Sequence, residues 1–358
     1  MKDMKQSVLW RSQNNGYHTY RIPALAVTGG GWLLAFCEGR KRGEADNGRI
    51  DVLVKRSANN GATWSEQQVV WNDHENTCGN PSPVIDRQTG VIWLLLTWNR
   101  GDDHELQIIN QTSRDTRRVF VTCSSDDGCT WAKPREITAD VKQPNWTWYA
   151  TGPGAGIQVQ TAPYTGRLLV PCDHIEAGSK RYYSHVIYSD DHGKSWCLGG
   201  RTPRDGVNEC EVVELVDGRL LLNMRNYYDL NKMRQVAFSR DGGLTWEEQR
   251  FDEALVEPIC QASIRRFAWP APGCRSVILF SNPASQESRV KMTVRTSFDE
   301  GKTWPLQKTL YQGPSAYSDL AVLGNGDIFC LFESGKQGPY ERITLARFSL
   351  NWLEAATT

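Results

Sequence analysis

Five octapeptides constrain this chain more than any other feature. Residues 57–64 (SANNGATW), 124–131 (SSDDGCTW), 189–196 (SDDHGKSW), 239–246 (SRDGGLTW) and 297–304 (SFDEGKTW) share the form S-x-[D/N]-x-G-x-[S/T]-W. They recur at intervals of 50 to 67 residues. Self-similarity at such a period marks a repeated supersecondary unit. The motif reads as a hairpin turn. The Asp or Asn side chain accepts from nearby backbone N–H groups, the Gly supplies a positive φ, and the Trp packs into the sheet beneath. It is expected to be structural rather than to touch a ligand.

Each octapeptide follows a strand-like run, at 50–56, 118–123, 184–188, 233–238 and 290–296. A further apolar run with its own turn precedes each, as at Asp217-Gly218; Asn325-Gly326 marks a similar hairpin beyond the fifth octapeptide. Asp-Gly and Asn-Gly between β runs are hairpin signals. No long stretch has a 3.6-residue apolar period. The unit is therefore a four-stranded meander of about 60 residues, the format of a propeller blade. Residues 317–350 form a sixth unit without the octapeptide, completed by the strand at 7–11. The expectation is an all-β, six-bladed β-propeller of four-stranded antiparallel sheets, one domain over residues 1–358.

Composition narrows the function classes. Forty-one Lys and Arg balance 41 Asp and Glu, which argues against a nucleic-acid surface or a polybasic membrane contact. The longest apolar run, Val91 to Leu96, falls far short of the roughly 20 residues of a membrane helix. The start, Met1 to Gln6, has no apolar stretch behind its charges, so no secretory signal is expected. That leaves a cytoplasmic protein, or a secreted or periplasmic one whose leader has been removed. The ten cysteines form no C-x-x-C pairs and read as free, buried thiols before disulfides. The six histidines show no metal-ligand spacing, and no nucleophile elbow, phosphate loop or H-E-x-x-H occurs, so no cofactor or metal is expected.

Tyr20-Arg21-Ile22-Pro23 ahead of five such octapeptides resembles the exo-α-sialidases of the non-viral type, along essentially the whole chain. The resemblance implies a site on the propeller axis acting on sialylated glycans. It implies an arginine triad for the sugar carboxylate: Arg21, Arg225 (in Asn223-Met224-Arg225-Asn226) and Arg289 (in Ser288-Arg289-Val290), with Arg295 on the same run. Arginine suits the task because its planar fork meets a carboxylate in bidentate fashion and keeps its charge. Glu341 matches the acid that braces the first arginine, and Arg40 an arginine near the ring's C4 substituent.

Tyr317, in Ala316-Tyr317-Ser318-Asp319, matches the nucleophile, and Glu209, in Asn208-Glu209-Cys210-Glu211, its base; Glu211 is a rival two residues on. A phenol is the sensible nucleophile here. Sialic acid carries its carboxylate on the anomeric carbon, and an approaching carboxylate would be repelled. Asp46 matches the loop acid/base, with Glu44 and Asp51 as alternatives. Asp103 and Glu105 lie in a loop similar to the family's pocket loop, and Tyr182-Tyr183 could supply an aromatic wall. Many relatives read G-P-G-H-G where this chain has Gly152-Pro153-Gly154-Ala155-Gly156, a departure expected on the aglycone side or pocket floor. Transfer of sialic acid, within or between molecules, uses the same set. A silent glycan-binding propeller could dispense with Asp46, Glu209 and Tyr317.

Overall fold

The structure is a computed structural model that describes residues 4–228 and 230–355. It is all-β, with 24 strands and three short helices among the described residues. The first strand, β1 (Lys5–Arg11), pairs only with the last one. β2 (Thr19–Val27), β3 (Leu33–Arg40), β4 (Ile50–Ser57) and β5 (Gln68–Trp71) run as an antiparallel meander. β6 (Thr77–Ile85), β7 (Ile92–Asn99), β8 (Arg118–Ser124) and β9 (Arg135–Glu136) form the next. A helix, α1 (Glu105–Ile109), lies between β7 and β8. β10 (Trp146–Thr151) and β11 (Ile157–Gln158) both pair with β12 (Leu168–Glu176), followed by β13 (Tyr182–Ser189) and β14 (Cys197–Arg201). β15 (Val207–Glu214), β16 (Leu220–Asn226), β17 (Met233–Ser239) and β18 (Glu247–Val256) make a sheet of their own. β19 (Ser263–Ala268), β20 (Val277–Pro283) and β21 (Val290–Ser297) lead into β22 (Leu306–Val322). β22 pairs with β21 through its first part and with β23 (Asp327–Ser334) through its second, and β24 (Arg342–Ser349) then pairs with β23 and β1.

The sheets therefore hold four, five, seven and eight strands rather than four each. Two features fuse neighbours. β22 is shared, and a single parallel bridge, Ile50 to Thr77, ties β4 to β6. The fifth strand of one sheet arises because its first strand is broken into β10 and β11.

Six apolar clusters fill the spaces between consecutive groups of strands, one of them joining β1, β23 and β24 to β2, β3 and β4. The octapeptide tryptophans Trp64, Trp131, Trp196, Trp246 and Trp304 each enter a different cluster. All five octapeptides share the same bonding. The Ser hydroxyl accepts from the Gly N–H at 2.8–3.0 Å. The Asp or Asn Oδ1 accepts from the N–H of the Ser or Thr at 2.8–2.9 Å. These Gly residues have φ between +74° and +91°, a region open to glycine and costly for others. The ten cysteines are all free, six of them buried. No helix among the described residues is long and apolar enough to cross a membrane.

Candidate active site

β-bulges build the site. In an antiparallel pair, an extra residue bends the strand and re-aims a side chain. The register of β2 against β3 slips between Arg21 and Ala24, that of β6 against β7 between Gly79 and Ser82, and that of β10 against β12 between Trp146 and Tyr149. β15 against β16 slips between Val207 and Cys210, and β22 against β23 between Ser315 and Ser318. Each slip carries a residue into one pocket of about 250 Å³: Arg21, Asn80, Trp148, Glu209 and Tyr317. At the first slip, Ile22 is held at φ 57°, unusual for a β-branched residue, and Pro23 has no N–H for the ladder.

Tyr317 is the hub. Its hydroxyl donates to Glu209 Oε1 at 2.5 Å and accepts from an Arg225 terminal nitrogen at 3.1 Å. The same Arg225 nitrogen donates to Glu209 Oε2 at 2.5 Å, while Arg225 Nε is buried without a partner. The Arg21 and Arg289 guanidiniums lie 5.0 and 5.7 Å from the Tyr317 ring centre. The three expected arginines thus converge on one phenol. Burial and the neighbouring Glu209 hold that phenol well above its ordinary pKa, against the opposing pull of Arg225, Arg289 and Arg21. It is a neutral phenol at rest.

Asp46 is exposed at the rim of the pocket. Its Oδ1 lies 2.7 Å from Arg40 and 3.8 Å from Arg21. Partial burial pushes its carboxyl upward, but Arg40 and Arg21 outweigh this and hold it below the usual range. Arg40 is itself fixed by Glu38, at 2.7 and 3.0 Å. Of the alternatives, Asp51 accepts from the Tyr17 hydroxyl at 2.7 Å inside the sheet, and Glu44 lends only its backbone carbonyl, to Arg40. Glu211 is buried away from the pocket, accepting from Ser263 Oγ and Ile264 N at 2.9 Å each. Arg295 is likewise buried elsewhere, on Asn282.

The bracing acid is not Glu341. That residue is half-buried and accepts from the backbone N–H groups of Lys336, Gln337 and Gly338. Glu333 does the bracing: Arg21 Nε donates to it at 2.9 Å, as do the backbone N–H groups of Ile22 at 2.9 Å and Tyr317 at 3.1 Å. Glu333 sits in the apolar run Cys330-Leu331-Phe332, so its charge is hidden in what reads as a core strand.

Glu105 lines the pocket, its carboxyl raised by burial and by Asp46. Asp103 does not: it accepts from the N–H groups of Arg114 and Asp115 and shapes the loop. Tyr182 stands behind the wall, stacked at 5.0 Å on Tyr227, which is the aromatic that faces the pocket. Tyr340, Arg117, Trp148 and Asp173 also line it and carried no signal in the sequence. Tyr340 lies 4.0 Å beneath the Arg21 guanidinium and accepts from Arg289 at 2.8 Å. Ala155 is absent from this lining and faces a separate cavity of about 550 Å³, so the departure at the glycine loop lies away from the pocket. Gly154, at φ +110°, suits this turn: a Cβ there would be strained and would meet Glu211 Oε1 at 1.8 Å, forcing that buried side chain to move.

Comparison with known proteins agrees. The BNR repeat-like domain family matches residues 31–330. A sialidase of Micromonospora viridifaciens is 37% identical over 94% of this chain and 52% of its own length, and one of Bacteroides fragilis is 31% identical over 88% and 60%. This chain thus spans about half to three-fifths of those two relatives. An exo-α-sialidase of Aspergillus fumigatus is 32% identical over 94% of this chain and 86% of its own. The solved Hadza microbial sialidase Hz136 superposes with a TM-score of 0.86 at 28% identity, over 97% of this chain and 69% of that one. The chain belongs to the exo-α-sialidase family of the non-viral type.

Proposed function

We propose that this chain is an exo-α-sialidase that releases terminal α-linked sialic acid from glycans with retention at the anomeric carbon. The observation that carries the reading is the 2.5 Å hydrogen bond from Tyr317 to Glu209, ringed by Arg21, Arg225 and Arg289. The three arginines bind the sugar carboxylate. Tyr317 Oη attacks the anomeric carbon as its proton passes to Glu209 Oε1. The glycosidic bond breaks, and the leaving oxygen takes a proton from Asp46. Water, losing a proton to Asp46, then displaces Tyr317, which recovers its proton from Glu209. Asp46 must arrive protonated. In the free site Arg40 and Arg21 oppose this, but a substrate carboxylate on Arg21 adds a negative charge beside Asp46 and raises its proton affinity.

We read the fold as a six-bladed propeller forming one unit. In support, the shared β22 and the single bridge at Ile50 divide the fused sheets into meanders. Each of the six apolar clusters spans one adjacent pair of meanders, including first and last. The test of function is proton NMR of the protein with 2,3- and 2,6-sialyllactose. Free sialic acid appearing first as the α-anomer is the expected result. The β-anomer first, or no release, overturns the mechanism.

A further inference from the structure

Asp173 is a buried carboxyl in the pocket that the mechanism above does not use. It sits in β12, paired with Ala150 and Ser184, and is 1% exposed. Its Oδ2 is sealed from solvent with no hydrogen-bond partner. An ionised carboxylate in such a place needs a cation or several N–H donors. Neither cation facing it makes a hydrogen bond or close ion pair with it. Arg117 donates to Tyr149 O, Asn99, Asn80 and Thr97, and Arg225 is held by Glu209. The other titratable groups facing it are Glu209, Glu105, Tyr227 and Tyr182, none of which favours a second negative charge.

We propose that Asp173 enters this pocket as a neutral carboxylic acid and donates a hydrogen bond to an uncharged polar arm of the bound sugar. The chemistry follows from the inventory of groups: a protonated carboxyl has one O–H donor; Oδ2 is enclosed, so Asp173 lines the pocket through Oδ1, and an O–H there is aimed at whatever the pocket binds. Burial and the adjacent Glu209 act in the same direction, lifting its proton affinity well above that of a free aspartate. An apolar or acidic setting that keeps a carboxyl protonated at neutral pH turns an acceptor into a donor. The ligand group is then a hydroxyl or an amide carbonyl, and an anionic arm is disfavoured there. The identity of the sugar rests on the sialidase reading; the protonation state does not.

Two measurements test this. The infrared difference spectrum of wild type minus Asp173→Asn at neutral pH is expected to contain the carbonyl band of a protonated carboxylic acid. Its absence overturns the proposal whether or not the protein cleaves sialosides. In steady-state kinetics on 2,3-sialyllactose, Asp173→Leu should raise KM about tenfold, the effect of one lost hydrogen bond in a desolvated site, with little change in kcat. Asp173→Asn, whose amide N–H replaces the acid O–H, should rescue most of that KM. An Asn variant as impaired as the Leu variant means that the charged form is required, and a Leu variant with wild-type KM means that Asp173 makes no contact; either overturns the proposal. Wild-type protein that cleaves no sialoside overturns the sialidase reading instead, and the infrared band then decides the protonation state alone. Should the Leu variant fail to fold, the band and the Asn kinetics still decide.

Discussion

At the scale of single residues, the pocket is a small set of charges, most of them held by a named partner. Tyr317→Phe keeps the ring between Arg21 and Arg289 but removes the oxygen that Glu209 and Arg225 hold. Turnover should fall by at least about a thousandfold while a sialic acid analogue still binds, because on the proposed mechanism nucleophile and clamp are separate groups; near-normal hydrolysis would exclude Tyr317 as nucleophile. Glu333 and Glu341 make a sharper contrast. Glu333→Gln weakens a buried charge-assisted pair with Arg21 and should cut kcat/KM by about ten- to a hundredfold. Glu341→Gln should change it less than about twofold, since an amide oxygen can still accept from the 336–338 backbone and the residue lies outside the pocket. Both are read from steady-state kinetics, and the reverse ranking would return the bracing role to Glu341. Asp173 has a stability signature as well. A carboxyl whose folded pKa is raised contributes stability below its unfolded pKa, and that stability is lost as pH rises through the folded value. Asp173→Asn should therefore raise the Tm at pH 7.5, and this advantage should shrink toward pH 4. A variant less stable than wild type at pH 7.5 would show that the carboxylate is ionised and satisfied.

At the scale of elements, turns and bulges play different parts, and only the turns were legible. The octapeptides announce themselves because their geometry depends on fixed residue types: a hydroxyl, an acid or amide and a glycine at set spacing. None of their residues lines the pocket. Asp299→Ala removes acceptors for Thr303 N, Thr303 Oγ1 and Ser297 Oγ. It should cost about 1–2 kcal/mol in thermal unfolding while leaving kcat/KM within about twofold; a large kinetic loss would show that the turn reaches the site. The bulges that aim Arg21, Trp148, Glu209 and Tyr317 have no residue-type signature. They arise where an innermost strand bends toward the pocket, a relation between strands that a linear pattern does not encode. The motif resemblance pointed to Arg21, Asp46, Glu209, Arg225, Arg289 and Tyr317, which the structure brings together in one pocket. It missed Glu333, Asp173 and Tyr340, whose importance is set by what packs against them. It misplaced Asp103 and Tyr182, which stand one layer behind the wall.

At the scale of the whole molecule, the first strand bears on everything else. β1 pairs along one edge with β24 and places Trp10 in the cluster shared with β2, β3, β4 and β23. Without it β24 would be an exposed edge, which sheet proteins avoid. Trp10 is 2% exposed, its ring faces Tyr20, and Lys55 Nζ donates to the carbonyl of Leu9 beside it. On the six-bladed reading this contact joins the last meander to the first, so its loss acts on the closure of the ring rather than on one local sheet. Trp10→Ala should cost about 3–5 kcal/mol, the usual range for emptying a buried tryptophan site. Calorimetry should show one transition moved to lower temperature, with kcat/KM at 20 °C nearly unchanged, because β1 supplies nothing to the pocket. If instead a small separate transition split off while the main one stayed in place, β1 would be a dispensable flap, and the closed ring would not be the unit that unfolds.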